Sequence, residues 1–159
     1  MKKTLTFTII VSLLAGFIQF SKGQEVSELQ KSEIEKQIHT IFRSMVKEAE
    51  NLDYDKLSSS VDDRYNAGFI TNGAYYTNYD SLVNILKNNT PAGAQQQITV
   101  QHEKISVLTE NIVLLSAYGV ANADISPGRT ITIKFLWTFV YEKFENEWKV
   151  IQSHQSTKK

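Results

Sequence analysis

Residues 129–141 alternate strictly between two kinds of side chain, and this alternation constrains the fold more than any other feature of the chain. The odd positions are large and apolar, namely Ile131, Ile133, Phe135, Trp137, Phe139 and Tyr141. The even positions are mostly smaller or polar. Because successive side chains of a strand point to opposite faces of a sheet, a period of two predicts a long antiparallel strand with one bulky face. We therefore expect this strand to cover a large concave core.

Three further strands are predicted around this one, and they cover residues 97–108, 112–125 and 148–156. In the first of them the apolar parity changes between Val100 and Ile105, with His102 on the side of Val100. Such a change predicts a bulge, which we place near residues 103–104. Long strands joined by tight turns form an antiparallel meander, and a bulge makes a long sheet curl.

The first half of the chain is predicted to be mainly helical. Apolar residues at three- and four-residue spacing predict an amphipathic helix over residues 26–52, with a stripe of Ile34, Ile38, Ile41, Met45, Ala49 and Leu52. Shorter helices are predicted at 56–61 and 81–87, the second capped by Asn78 or Asp80. Between them, Asn72-Gly73 predicts a two-residue hairpin turn. Helices followed by a curled antiparallel sheet give an α+β fold with the helices packed in the concave face.

Residues 1–23 have the composition of a signal peptide. Lys2 and Lys3 supply the positive start, a mostly apolar run follows, and Ser21 and Gly23 place small residues before a cut at Gln24. Polar residues interrupt the apolar run, so it fits a transmembrane anchor poorly. We therefore expect a periplasmic or extracellular protein, with residues 24–159 as a single domain and no membrane attachment after cleavage.

Composition and spacing argue against several classes of function. The chain has no cysteine, so no disulfide framework or cysteine nucleophile is expected. Cleavage removes three lysines and no acid, so 14 basic groups face 17 acidic ones, and we expect no nucleic-acid binding. The three histidines, His39, His102 and His154, are widely separated. We therefore expect no zinc site, and no other metal or cofactor.

The order of these elements resembles the NTF2-like superfamily, and within it the SnoaL-like branch of small single-domain proteins. The resemblance covers nearly the whole chain after residue 23 and rests on the opening helix, on residues 51–63, on the hairpin at 69–73 and on the ending at 148–156. It implies a cone, in which a strongly curved antiparallel sheet wraps the helices and leaves a pocket at the open end. The superfamily includes ketosteroid isomerases, polyketide cyclases and dehydratases, together with members that only bind or assemble.

The resemblance also bears on which residues could act chemically. Isomerases of the superfamily carry a carboxylate near the start of the first hairpin, but the matching residues 66–70 contain neither Asp nor Glu. Asp62 and Asp63 lie slightly earlier, where acidic caps are expected. His154 matches the closing histidine of the superfamily ending, so it is our candidate acid or base if the protein is an enzyme. The alternative is a buried histidine with a purely structural hydrogen bond.

The abundance of aromatic residues favours binding over catalysis. Pockets for small organic molecules have apolar walls with few polar groups, so we expect the cone to hold a small apolar or aromatic molecule. The predicted ligand-binding residues are Tyr65, Phe69, Tyr118, Trp137 and His154. Two alternatives stay open. One is an enzyme of the cyclase, dehydratase or isomerase type that uses His154, and the other is a structural or assembly domain whose cone is filled by side chains.

The predicted strand at 112–125 is apolar on both of its faces. Ile112, Leu114 and Val120 share one parity, while the opposite parity is also apolar. One face can cover the helices, and the other then needs a partner or remains a large exposed patch. We therefore expect a homodimer that pairs through the outer face of the sheet.

Export predicts a mature N-terminus at Gln24. Mass analysis of the periplasmic or secreted product should give a chain of residues 24–159, because the small residues at 21 and 23 define the cleavage site. An uncleaved chain that remains in the membrane fraction would contradict this prediction.

Overall fold

The computed structural model describes residues 25–126 and 128–158, so the predicted signal peptide lies outside the described residues. The first half holds α1 (Glu28–Glu50), α2 (Tyr54–Ser59), β1 (Phe69–Thr71), β2 (Ala74–Tyr76) and α3 (Tyr79–Asn89). The second half holds β3 (Gln95–Val107), β4 (Ile112–Ser126), β5 (Arg129–Phe144) and β6 (Glu147–Lys158). The predicted α+β order is confirmed. In the described part of the chain, none of the helices is long and apolar enough to span a membrane.

Helix α1 begins at a capping box and buries a stripe that differs in part from the predicted one. The Ser27 side chain accepts a hydrogen bond from the backbone N–H of Gln30, and the Gln30 side chain accepts one from the backbone N–H of Ser27. The buried residues are Ile34, Ile38, Phe42, Met45 and Val46. Phe42 and Val46 were not in the predicted stripe, although both continue the three- and four-residue spacing from Ile38.

The six strands form one sheet in the order β2-β1-β6-β5-β4-β3. Strands β3 to β6 are an antiparallel meander, as predicted, but β1 pairs with β6 in parallel, so the sheet is mixed rather than wholly antiparallel. A tight turn forces antiparallel pairing only between strands that it joins, and β1 is separated from β6 by α3 and the meander. The predicted Asn72-Gly73 turn closes the β1–β2 hairpin, and both of its residues have positive φ.

The face of the sheet that packs on the helices is called the inner face, and the opposite one the outer face. The odd-numbered residues of β4 and β5 lie on the inner face, and most of those in the middle of the sheet are buried, namely Val113, Leu115, Ala117, Phe135, Phe139 and Tyr141. The ring of Phe42 lies 6.1 Å from that of Phe139, and the Tyr141 hydroxyl lies 3.4 Å from the Met45 sulfur. The bulky face predicted from the alternation in β5 is thus the one that covers α1.

The bulge in β3 lies at Gln101, because the register against β4 shifts between Val100 and His102. The prediction placed the bulge near residues 103–104 and put His102 on the face of Val100, and both details are wrong. With the extra residue at Gln101, the apolar residues before and after it all pack on the core, whereas His102 is exposed on the outer face. The bulge thus keeps the inner face apolar along the whole strand.

Polar contacts from α1 hold β3, which is an edge strand of the sheet. The Glu50 carboxylate accepts a hydrogen bond of 2.7 Å from the backbone N–H of Ile98. Further along, Glu103 forms an ion pair of 2.8 Å with Arg43 and also contacts the His39 ring. Edge strands with free backbone groups are prone to pair with other chains, and these contacts cover part of this edge.

Gly119 in β4 has no room for a side chain between Thr99 of β3 and Phe135 of β5. A Cβ atom at this position would lie 2.1 Å from the carbonyl oxygen of Thr99 and 2.7 Å from the Phe135 ring. Phe135 is only 2% exposed, so its ring cannot move without opening the core. Only glycine fits here.

We therefore predict that Gly119→Ala lowers the free energy of unfolding by about 3 kcal/mol, because the clash involves backbone as well as a packed ring. Denaturant titration measures this loss. Thr99→Ala is the matched control, since it removes an exposed side chain and keeps the carbonyl, and it should change stability by less than about 0.5 kcal/mol. Equal effects of the two substitutions would contradict the steric argument.

Candidate functional site

The five predicted ligand-binding residues do not share one cavity. Phe69 and Trp137 lie on the inner face, where Phe69 is fully buried against the ring of Tyr79 at 5.1 Å. Tyr118 and His154 are exposed on the outer face. Tyr65 is exposed in the loop before β1, where its hydroxyl donates a hydrogen bond of 3.2 Å to Glu142. The fold therefore separates these residues onto opposite sides of the sheet.

A second bulge explains why His154 faces outward. The pairing of β6 with β5 shifts at Ile151, since Val150 pairs with Tyr141 while Gln152 pairs with Val140. Val150 is buried, but past the bulge the buried residue is Ser153, at 1% exposure. The parity of Trp148 and Val150 would have placed His154 inside. The side chain is instead exposed, so the alternative of a buried structural histidine is also wrong.

The inner face near Trp137 is an aromatic wall. The Trp137 ring is half-buried and stacks on Phe135 with a centroid distance of 3.9 Å. On the helical side, the Tyr54 hydroxyl lies 2.6 Å from that of Thr90. Burial, together with nearby Tyr54, raises the pKa of Tyr79 to about 12, so this hydroxyl stays protonated at physiological pH. The wall formed by Phe135 and Trp137 has one polar group of its own, the indole N–H of Trp137, which can donate a hydrogen bond.

Two surface depressions stand out in the described part of the chain, and neither includes residues of this aromatic wall. One, of about 580 Å³, lies between α1, the end of α2 and the β5–β6 turn, with Trp148 among its lining residues. The other, of about 900 Å³, lies beside the start of α1 and the β3–β4 turn. Large side chains such as Phe42, Phe69, Phe135 and Tyr141 fill the space between the helices and the sheet. The geometry thus favours a filled cone.

The outer face carries a regular array of exposed and partly exposed side chains, which we call the outer patch. It consists of four rows that run across the strands from β3 to β6. They are Thr99, Val120, Lys134 and Lys158; His102, Tyr118, Leu136 and Ser156; Lys104, Ser116, Thr138 and His154; and Ser106, Leu114, Val140 and Gln152.

The centre of the outer patch is apolar and aromatic. Tyr118 and Leu136 are direct cross-strand partners, and they are 48% and 60% exposed. The His102 ring stacks on Tyr118 with a centroid distance of 5.3 Å. Leu114, Val120 and Val140 flank this centre and are partly exposed. Contiguous exposed apolar surface of this kind marks interaction sites on soluble proteins.

The charges of the outer patch all have one sign. Its lysines are Lys104, Lys134 and Lys158, and no Asp or Glu occurs in its four rows. Sequence reasoning identified the apolar outer parity of β4 but missed Leu136 and the lysines. These residues share a face only because of how the strands are paired, which the sequence does not show. The one local signal was Leu136, a large apolar residue among the mostly polar even-numbered positions of β5.

Comparison with known proteins gives a match of fold. No protein-family profile and no curated protein matches the chain. Solved structures match along most of its length. An NTF2-like protein of unknown function from Shewanella oneidensis is 17% identical and aligns over 76% of this chain and 97% of its own, with a TM-score of 0.59.

Two other similar structures belong to different classes of protein, one an enzyme and one a hub domain. A hexachlorocyclohexane dehydrochlorinase of type 2 is 15% identical, with a TM-score of 0.68 over 84% of this chain and 90% of its own. The CaMKII hub homology domain of Chlamydomonas reinhardtii is 14% identical, with a TM-score of 0.65 over 79% of this chain and 99% of its own. At these identities the comparisons show the fold and not the activity.

Proposed function

From the NTF2-like α+β fold of this chain we propose that it is an exported interaction domain that forms a homodimer through the outer patch. The observation that carries the proposal is the exposed Tyr118–Leu136 pair at the centre of a four-stranded surface. The composition of residues 1–23 supports export, and the order of the sequence motifs supports the SnoaL-like branch. The hub domain among the similar structures is consistent with a role of this fold in assembly.

The size of the outer patch fits a second copy of the chain. Strands lie about 4.8 Å apart and rise about 3.3 Å per residue, so four strands and four rows with their borders span roughly 20 by 30 Å. The resulting area of roughly 600 Å² approaches the roughly 800 Å² that each partner contributes to a standard interface. Residues at the margins, such as Ile70 beside His154, supply further contact area.

The apolar centre of the outer patch is self-complementary around one axis. In this arrangement the outer faces of two copies pack against each other. The two-fold axis runs parallel to the strands, lies midway between the two sheets and passes between β4 and β5. Because Tyr118 and Leu136 are direct cross-strand partners, this axis places each Tyr118 over Leu136 of the second copy. Two identical apolar contacts then form at the centre, which is where residues that dominate binding energy usually lie.

We predict that Leu136→Lys makes the protein monomeric at micromolar concentration. An added charge at the apolar centre should weaken pairing by about 2 kcal/mol or more, while the exposed position leaves folding intact. Sedimentation velocity measures the change. Leu29→Lys is the matched control, because Leu29 is 83% exposed on α1 outside the outer patch, and this variant should remain dimeric.

A monomeric wild-type protein at the same concentration would contradict the dimer. So would a Leu136→Lys variant that sediments as the wild type does, since the interface would then lie elsewhere.

A second candidate function, binding of a small aromatic molecule, is supported by the half-buried aromatic wall at Trp137. This ring lies on the inner face, stacks on Phe135 and is not fully buried. The enzyme alternative gains no such support, because His154 faces away from this wall. Chemistry that used His154 would have to occur on the outer face, next to Thr138.

Ligand binding predicts a thermal shift in a screen of small aromatic molecules. A ligand present at 100 times its dissociation constant should stabilise the protein by about 2.7 kcal/mol. Trp137→Ala should abolish that shift, whereas Tyr118→Ala on the outer face should retain it. A shift that survives in a folded Trp137→Ala variant would show that the ligand binds elsewhere.

A further inference from the structure

We infer that the outer patch is a proton-controlled interface, in which protonation of His102 and His154 separates the two copies. This inference rests on the proposed homodimer and adds its regulation. It follows from where the two histidines stand in the rows and from the sign of every charge around them.

His102 lies among neutral and basic groups. Tyr118 of β4 stacks on its ring, and Lys104 follows it on the outer side of β3. His154 has Thr138 of β5 and Ile70 of β1 as its cross-strand neighbours. On its own strand, Gln152 and Ser156 flank it on the same face.

The carboxylates of the outer face, among the described residues, lie at its two ends, outside the four rows of the patch. Asp124 accepts a hydrogen bond of 2.6 Å from Thr130, and Glu142 accepts the one from Tyr65. Glu147 forms an ion pair of 2.9 Å with Lys149. These acidic groups are therefore not placed to neutralise a positive charge on either histidine of the patch.

A symmetric dimer stacks the same patch on itself, so two faces that both carry only positive charge meet. Around the axis described above, β3 of one copy faces β6 of the other. Lys104 and His154 belong to the same row, so each Lys104 then faces His154 of the second copy. A neutral imidazole can accept a hydrogen bond from a lysine ammonium, whereas an imidazolium ion has no acceptor and repels it.

The sign of the pH dependence follows from this geometry. An imidazole gains its positive charge as pH falls through the range of about 8 to about 5. Acidification therefore adds two charges to each face, both within a patch that already carries three lysines. Like charges placed across an interface suppress association, so proton binding and dimer formation oppose each other.

His39 provides an internal control. It lies on α1 and contacts Glu103, with Arg43 on the same carboxylate, and it is not part of the outer patch. Its protonation adds a charge beside a carboxylate and not beside lysines. It should leave the dissociation constant of the dimer unchanged.

Sedimentation equilibrium at about pH 7.5 and about pH 5 tests the inference. We expect the wild-type dissociation constant to rise roughly hundredfold at the lower pH, and added salt at about 0.5 M to reverse part of that rise by screening. The double variant H102Q/H154Q should change less than about threefold between the two pH values. H39Q should follow the wild type, and circular dichroism at both pH values verifies that each variant is folded.

Two results would overturn proton control while leaving the dimer intact. They are a wild-type dimer that is equally tight at both pH values, and a double variant that keeps the full pH dependence. A wild-type protein that is monomeric at about pH 7.5 would instead overturn the proposed dimer, and the inference with it.

Discussion

The bulges at Gln101 in β3 and Ile151 in β6 determine which side chains reach the core. Strand side chains alternate with a period of two, so one extra residue exchanges the faces of everything that follows. In β3 the bulge keeps the apolar residues on both sides of it against the helices. In β6 it follows the buried Val150 and turns Ser153 inward. Because of these shifts, His102 and His154 both face outward. Two residues of the outer patch are therefore set by the same bulges that keep the inner face buried.

The helices cover the inner face of the sheet, whereas Tyr118 and Leu136 on the outer face stay exposed. On the inner face, Phe42, Phe139 and Tyr141 pack together, and burial raises the pKa of the Tyr141 hydroxyl, which stays neutral against Met45. At the β3 edge, α1 contributes the contacts of Glu50 and Arg43. The same fold is shared by a dehydrochlorinase and by a hub domain, so the function must be argued from these surfaces and not from the fold.

Local patterns in the sequence predicted most of the elements. The alternation in β5 and the Asn72-Gly73 turn are short-range signals, and both are found in the structure. The bulge in β3 was expected but misplaced, because the four polar residues 101–104 separate Val100 from Ile105 and do not show which residue is the extra one. The bulge in β6 was not expected, because Val150 and Ile151 are both apolar and hide the change of parity. The parallel pairing of β1 with β6 joins residues far apart in sequence and leaves no local trace. The same uncertainty affected the site. Trp137 and His154 were both predicted to line the cone, but only Trp137 lies on the inner face.

The proposed dimer requires two copies to meet through the outer patch, and a cross-linking experiment tests this contact directly. The chain has no cysteine, so a single Cys introduced at the exposed Ser116 labels only this face. Packed sheets lie about 10 Å apart, within reach of a short bis-maleimide. We predict that Ser116→Cys gives a covalent dimer at micromolar concentration, whereas Ser59→Cys, exposed at the end of α2, stays monomeric on denaturing gels. Cross-linking of Ser116→Cys no faster than that of Ser59→Cys would contradict the account.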